Sequence, residues 1–217
     1  MSWRGLLASC AAAGALASPV QAADVPDVKI QAVLGGVASR GADSPDGVAA
    51  ETIWLKGDRV RVDFDAGQGR RGRILRDGHG HAWLFMSTSD RALPARNVKI
   101  GAITRLDLAQ PCWELGFACA RVDDRTIAGR LAHGWRYRHA GQSGPGGTDS
   151  GVFWIDAQYG LLLAFKGKDA GEHARRMETV AVDFQTIPAA AFAAPEGIRQ
   201  EINDADRRAD ALRGYSH

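Results

Sequence analysis

The sequence predicts a mainly β chain organised around one large, curved antiparallel sheet. Three observations lead there. In residues 59–64 the apolar Val60, Val62 and Phe64 alternate with Arg59, Arg61 and Asp63. That is the period-two pattern of a strand with one buried and one wet face. Gly57-Asp58 and Asp77-Gly78 are dipeptides favoured in tight hairpin turns, because they accept positive φ. Short apolar runs of this kind recur along the chain, punctuated by Gly, Asp and Pro, with little helical periodicity before the tail.

Taken from its start, the chain opens with Arg4 and then an uncharged apolar run over residues 6–17, too short to span a bilayer. Val20-Gln21-Ala22 supplies the small residues that signal peptidase accepts. These features predict a secretory signal over residues 1–22, a cut after Ala22 and export to the periplasm. Leu7-Ala8-Ser9-Cys10 spells a lipoprotein acylation box, but the apolar run continues well past Cys10, which argues against lipidation there. A β domain over residues 23–197 and a helical tail over residues 198–217 are expected to follow. No later segment is long and apolar enough to cross a membrane.

Without Cys10, the remaining cysteines are Cys112 and Cys119. An even number in an exported chain points to a disulfide, which would pin a short loop containing Trp113 and Phe117. A metal site there would need further ligands, and His133 is not at a recognisable spacing. The formal net charge is +2 and falls to about +1 when Arg4 leaves. A general nucleic-acid binder shows a much stronger basic excess, so no nucleic-acid partner is expected.

The first strand is expected over residues 27–37, with Val28, Ile30, Ala32 and Leu34 on one face. A turn-rich loop covers residues 41–47, and strands follow near 49–56, 59–65, 71–77 and 81–87. Residues 68–73, basic and Gly-rich, read as a solvated hairpin tip. The pattern weakens over residues 87–120, which read as a plug or lid on the sheet, with a strand and a short helical turn near 98–108. Regularity returns at residues 125–139, where Trp135 and Tyr137 share a face. Strands then fall near 152–156, 161–165 and 175–187. In the tail, Ile198, Ile202, Ala205, Ala209 and Leu212 form a sparse apolar stripe, that of a weakly docked helix. Eight to ten strands and one helix result, and such a sheet must close on itself or be covered.

Little in the sequence specifies a reaction. His79 and His81 could form a metal-binding pair, but they sit at a turn and a third ligand would have to come from elsewhere. Gly141-Gln142-Ser143-Gly144-Pro145 lacks the last glycine of a nucleophile elbow and leads into a loop. It also lacks the lysine of a phosphate loop. No catalytic residue, metal or cofactor is assigned. What remains is the apolar face. Val60, Val62, Phe64, Trp83, Phe85, Trp135, Tyr137, Phe153 and Ile155 fit either an ordinary filled core or the lining of a cavity for an apolar ligand. Arg59 and Arg61, on the other face, are expected to be solvated.

The order of several short motifs resembles one family. Residues 53–64 read Ile-Trp-Leu-Lys-Gly-Asp-Arg-Val-Arg-Val-Asp-Phe, and Ile74-Leu-Arg-Asp-Gly precedes Ala82-Trp-Leu. Thr126-Ile-Ala-Gly129, Phe153-Trp-Ile-Asp156, Gly160-Leu-Leu-Leu and Phe192, Pro195 and Gly197 follow. Over residues 28–197 this resembles the LolA/LolB-like periplasmic lipoprotein-carrier superfamily. The resemblance implies a half-barrel of antiparallel sheet with a loop or short-helix lid over an apolar cavity. It implies a non-enzymatic carrier whose partner is a lipid or acylated ligand. The family usually begins with a helix, where this chain reads as strand. Two other readings stay open. One is a module that binds another envelope protein on the concave face. The other is an enzyme whose His79, His81, His133 and Asp156 converge only in three dimensions.

Overall fold

The computed structural model describes residues 25–36, 49–65, 67, 69–89, 91–95, 105–113 and 115–194. The expected signal with its cut after Ala22, the loop at 41–47, most of the segment near 98–108 and the tail from Ile198 lie outside the described residues. Eleven strands form one antiparallel sheet. They are β1 Val28–Gly36, β2 Ala49–Lys56, β3 Arg59–Asp65, β4 Arg71–Arg76, β5 Ala82–Met86 and β6 Ala92–Pro94, then β7 Cys119–Ile127, β8 Arg130–Tyr137, β9 Ser150–Asp156, β10 Leu162–Lys168 and β11 Ala174–Phe184. The order across the sheet is β6-β5-β4-β3-β2-β1-β11-β10-β9-β8-β7. Two meanders thus run outward from a central β1–β11 pair.

The sheet does not close, but it curls. β7 lies four places from β11 in the strand order, yet Arg125 Nη2 of β7 donates to Glu178 Oε1 of β11 at 2.8 Å. Register shifts at Gln31/Ala32, Leu162/Ala164 and Val122/Arg125 add the local bend and twist that bulges supply. The result is the mainly β half-barrel that the sequence led us to expect.

Local chemistry accounts for the hairpins. The β2–β3 loop has two residues, and only Gly57 takes positive φ, +53°, as a II′ turn requires. The β4–β5 loop is longer than Asp77-Gly78 suggested. Its positive φ falls on Gly80, and the Asp77 carboxylate accepts the backbone N–H of His79 at 2.8 Å and of His81 at 3.0 Å. Between β7 and β8 the turn is Ala128-Gly129, with both residues at positive φ. Residues 125–139, expected as a single stretch of regular structure, are therefore parts of two strands.

β6 and β7 are the opposite edges of the sheet, and the described residues between them, 105–113 and 115–118, include side chains packed on it. Leu106 and Cys112 are buried against Tyr137, Phe153 and Ile155, with Leu115 and Phe117 partly buried beside them. Of the lid expected over residues 87–120, the described residues 105–113 and 115–118 pack on the sheet in this way, whereas Ala92–Pro94 form β6 and Cys119 begins β7. Cys112 and Cys119 form a disulfide that anchors this segment to the first residue of β7, and such a bridge fits an oxidising compartment. Reducing it is expected to lower stability by about 2–3 kcal/mol, the chain entropy of a short closed loop. Thermal unfolding followed by circular dichroism, with and without reductant, checks this. The far-ultraviolet spectrum of the folded protein should not change.

Apolar side chains fill three cores. The first combines Val28, Ile30, Ile53, Leu55, Val60 and Val62 with Leu161, Leu163 and Trp154 from the other wing. The second lies under the lid and contains Tyr137, whose hydroxyl pairs with Thr148. Burial pushes that phenol up to about 12. The third is small: Leu75, Phe85 and Ala92, with Trp83 and Ala194 packed on it.

Candidate functional site

Strand register builds an open cleft on the β2–β5 wing of the sheet. In an antiparallel sheet, residues directly opposite each other share a face. Ala50, Asp65 and Arg71 form one such row across β2, β3 and β4. Thr52, Asp63, Arg73 and Phe85 form the next row on the same face, reaching β5. The two rows line an open cleft of about 510 Å³, with Phe64, Gly72, Met86, Ser87 and Ser89 completing it. That volume lies within the roughly 300–1,000 Å³ common for ligand sites. Gly72 is needed for close approach: a Cβ there would come within 2.2 Å of the Phe64 ring.

The cleft's charges are paired in a ladder. Arg73 Nε donates to Asp63 Oδ1 at 2.6 Å, and Arg61 Nε donates to the same oxygen at 3.1 Å. Arg71 Nε donates to Asp65 Oδ2 at 2.8 Å. Burial alone would raise the Asp63 carboxyl, but the guanidiniums of Arg61 and Arg73 more than offset it and hold it below the ordinary range. The Gly67 N–H, with Arg71, lowers Asp65 as well. Arg61 is not solvated as expected. Its guanidinium lies 4.3 Å from the Trp54 ring centroid and donates to Ala191 O at 3.0 Å. The short 3-10 turn Ala189–Phe192 thereby covers the sheet beside the cleft.

The nine apolar residues singled out in the sequence do not line one cavity. Val60 and Val62 belong to the first core, and Tyr137, Phe153 and Ile155 to the second, with Trp135 packed against it. Val62 pairs with Ile74, which pairs with Leu84. Trp83 and Phe85 therefore lie on the opposite face from Val60 and Val62, together with Leu75. Phe64 and Phe85 both reach the cleft. Sequence reasoning missed the polar half of this site: Thr52, Asp63, Asp65, Arg71 and Arg73. The available signal was the matched i, i+2 spacing of Asp63/Asp65 and Arg71/Arg73 across one hairpin.

The possible enzymatic constellation does not assemble. His81 Nδ1 lies 3.2 Å from Asp77 Oδ2 in the β4–β5 loop. His133 Nδ1 lies 3.1 Å from Asp124 Oδ2. Asp156 is 1% exposed and engaged by Arg130. His133 stands opposite Ile155 and Asp156 opposite Ala132, so these two point to opposite faces. Among the described residues no three His, Cys, Asp or Glu side chains form a metal-binding group.

No protein-family model matches the chain, and no curated protein matches it in sequence. Solved structures do. MucB in complex with MucA(peri) is 15% identical, with a TM-score of 0.46, over 80% of this chain and 56% of that one. The chain thus spans little more than half of MucB. An uncharacterised conserved protein from Thermus thermophilus is 10% identical, with a TM-score of 0.49, over 77% of this chain and 86% of that one. A LolA superfamily protein from Nitrosomonas europaea is 10% identical, with a TM-score of 0.40, over 78% of this chain and 91% of that one. The likeness to these proteins is one of fold.

Proposed function

We propose that this chain is a non-enzymatic periplasmic binding protein that holds an acylated, amphiphilic ligand in the β2–β5 cleft. The observation that supports it is the make-up of that cleft, where paired charges stand beside the Phe85 ring on one face of the sheet. Phe85, on the same face as the charged rows, offers surface to a hydrocarbon chain, worth about 0.8 kcal/mol per buried methylene, while Phe64 and Met86 stand in the row paired through Gly72 on the other face. Arg71 and Arg73, already polarised against Asp65 and Asp63, are placed to meet a polar head. Val60, Val62, Tyr137, Phe153 and Ile155 are buried in packed cores, so the ligand is assigned to the cleft.

The test is native mass spectrometry of the protein purified from periplasm, followed by organic extraction and titration with a fluorescent fatty-acid probe. Co-purifying lipid, or saturable probe uptake weakened about tenfold by Ala50→Trp, is the expected result. Ala50 is exposed, so the new indole would fill the cleft without disturbing a core. A clean apo mass with no uptake by the unmodified protein would rule the reading out.

One observation favours a second reading. Trp113 is 79% exposed on the disulfide-bonded loop, and exposed tryptophans are frequent interface anchors. On this reading the ligand is another envelope protein, as MucA is for MucB in the solved complex. Its signature would be a periplasmic cross-link lost on Trp113→Ala with probe uptake absent throughout.

A further inference from the structure

We propose that Arg125, Lys166 and Arg176 form a site for a dianionic phosphoryl group, on the opposite wing of the sheet from the cleft. Lys166 and Arg176 stand directly opposite each other in the β10–β11 pair. Both side chains are exposed, and like charges directly opposite each other are destabilising, a repulsion that a shared anion would relieve. Neither side chain has a carboxylate partner among the described residues. The nearest acid, Glu178, is two residues from Arg176 and is taken by Arg125 at 2.8 Å.

The surroundings make a pocket from this pair. Arg125, Lys166, Arg176 and Glu178 line a recess of about 170 Å³ together with Val33, Leu34, Trp154, Phe165 and Met177. The Arg125–Glu178 ion pair, from β7 to β11, lies among these lining residues. Trp154 forms a wall, with the Arg125 guanidinium 4.6 Å and the Lys166 ammonium 5.8 Å from its ring. Its own Nε1 is directed away, donating to Asp123 O at 3.1 Å. Gly35 leaves space for the Arg176 side chain, since a Cβ there would lie 2.5 Å from Arg176 Nε.

Charge and size select the ligand class. Three cations against one carboxylate leave an excess of two positive charges, which matches a phosphomonoester or inorganic phosphate better than a monocarboxylate. The recess has room for one such group and not for an acyl chain. Charge-assisted bonds from a guanidinium to phosphate oxygens are among the strong ones. Two sources share this chemistry: free phosphate and the phosphomonoester headgroup of a lipid.

The experiment uses the full chain as exported. Inorganic phosphate is titrated calorimetrically at constant ionic strength. Unfolding temperature is followed in phosphate and in chloride. Binding to vesicles of phosphatidic acid in phosphatidylcholine is compared with binding to phosphatidylcholine alone. Saturable one-to-one phosphate binding, weakened about tenfold in Lys166→Gln and in Arg176→Gln, is expected. The same variants should be at least as stable as the unmodified protein in chloride, because each removes a repulsion, but should lose the extra stability conferred by phosphate. A variant that merely misfolded would lose both. Phosphatidic acid binding that phosphate displaces identifies the lipid source, and phosphate binding alone identifies the free anion. No saturable binding to either, or binding that both variants retain, overturns the proposal.

Discussion

Asp156→Ala is expected to cost about 3–5 kcal/mol, the usual penalty for leaving one member of a buried ion pair alone. Asp156 ends β9 and is 1% exposed. Arg130 at the start of β8 reaches it through Nε at 2.5 Å and through Nη2 at 3.2 Å. The same carboxylate accepts the backbone N–H of Gln158 at 3.1 Å and of Tyr159 at 2.7 Å, which shapes the turn into β10. Removing it therefore strands a guanidinium that lies 4.8 Å from the Phe184 ring and frees two turn donors. Urea unfolding should show the loss as a lower midpoint. Asp156→Asn keeps the acceptor for the turn while losing the charge, and should fall between the two. A wild-type midpoint in the alanine variant would show that the pair contributes nothing net.

Glu51→Gln is expected to stabilise the protein in mildly alkaline buffer and to leave it nearly unchanged in acid. Glu51 lies between Ala32 of β1 and Phe64 of β3 in register, with no hydrogen-bond partner among the described residues. Burial pushes its carboxyl up from an ordinary 4.5 to about 7. Between those values the folded protein keeps a proton that the unfolded chain has released. The stabilisation is thus full below about 4.5 and is lost as pH rises through about 7. Each tenfold difference in proton affinity between the folded and unfolded chain is worth about 1.4 kcal/mol, so the loss by pH ~8 approaches ~3 kcal/mol. Glutamine cannot ionise, so the variant should lack this slope. Unfolding midpoints measured from acid to alkaline pH would reveal it, and parallel profiles for the two proteins would be the contrary result.

The strands were readable where alternation and turn chemistry agreed. Residues 49–56 and 59–65 alternate cleanly around Gly57, and β2 and β3 occupy those spans. β7 was not readable. Its run is charged and mostly exposed, and the register shift between Val122 and Arg125 breaks the period. The same limit explains Trp83 and Phe85. Alternation tells which residues of one strand share a face, but not how that face relates to a neighbour's. That relation depends on hairpin length, and the β4–β5 loop is longer than its Asp-Gly signal implied. The cleft escaped notice for a related reason, since its Asp and Arg residues become a site only once β3 and β4 are placed in register. Leu161, Leu162 and Leu163 form an unbroken apolar run. Alternation sends Leu161 and Leu163 to one core and Leu162 to another, and the register shift between Leu162 and Ala164 places Ala164 in the same core as Leu163.

The central pairing of β1 with β11 has a consequence for how the chain reaches its native state. Val28 meets Phe184 and Gly36 meets Arg175, so the earliest strand waits for the latest. Contacts this far apart in sequence slow folding. As the chain is made, β1 and β2 can pair as soon as they emerge, but the other side of β1 stays an open edge until β11 arrives. An unpaired strand edge recruits other chains. The interval between the appearance of the first hairpin and of the last strand is therefore when the protein is most vulnerable to aggregation, and a holdase chaperone would act to greatest effect in that interval.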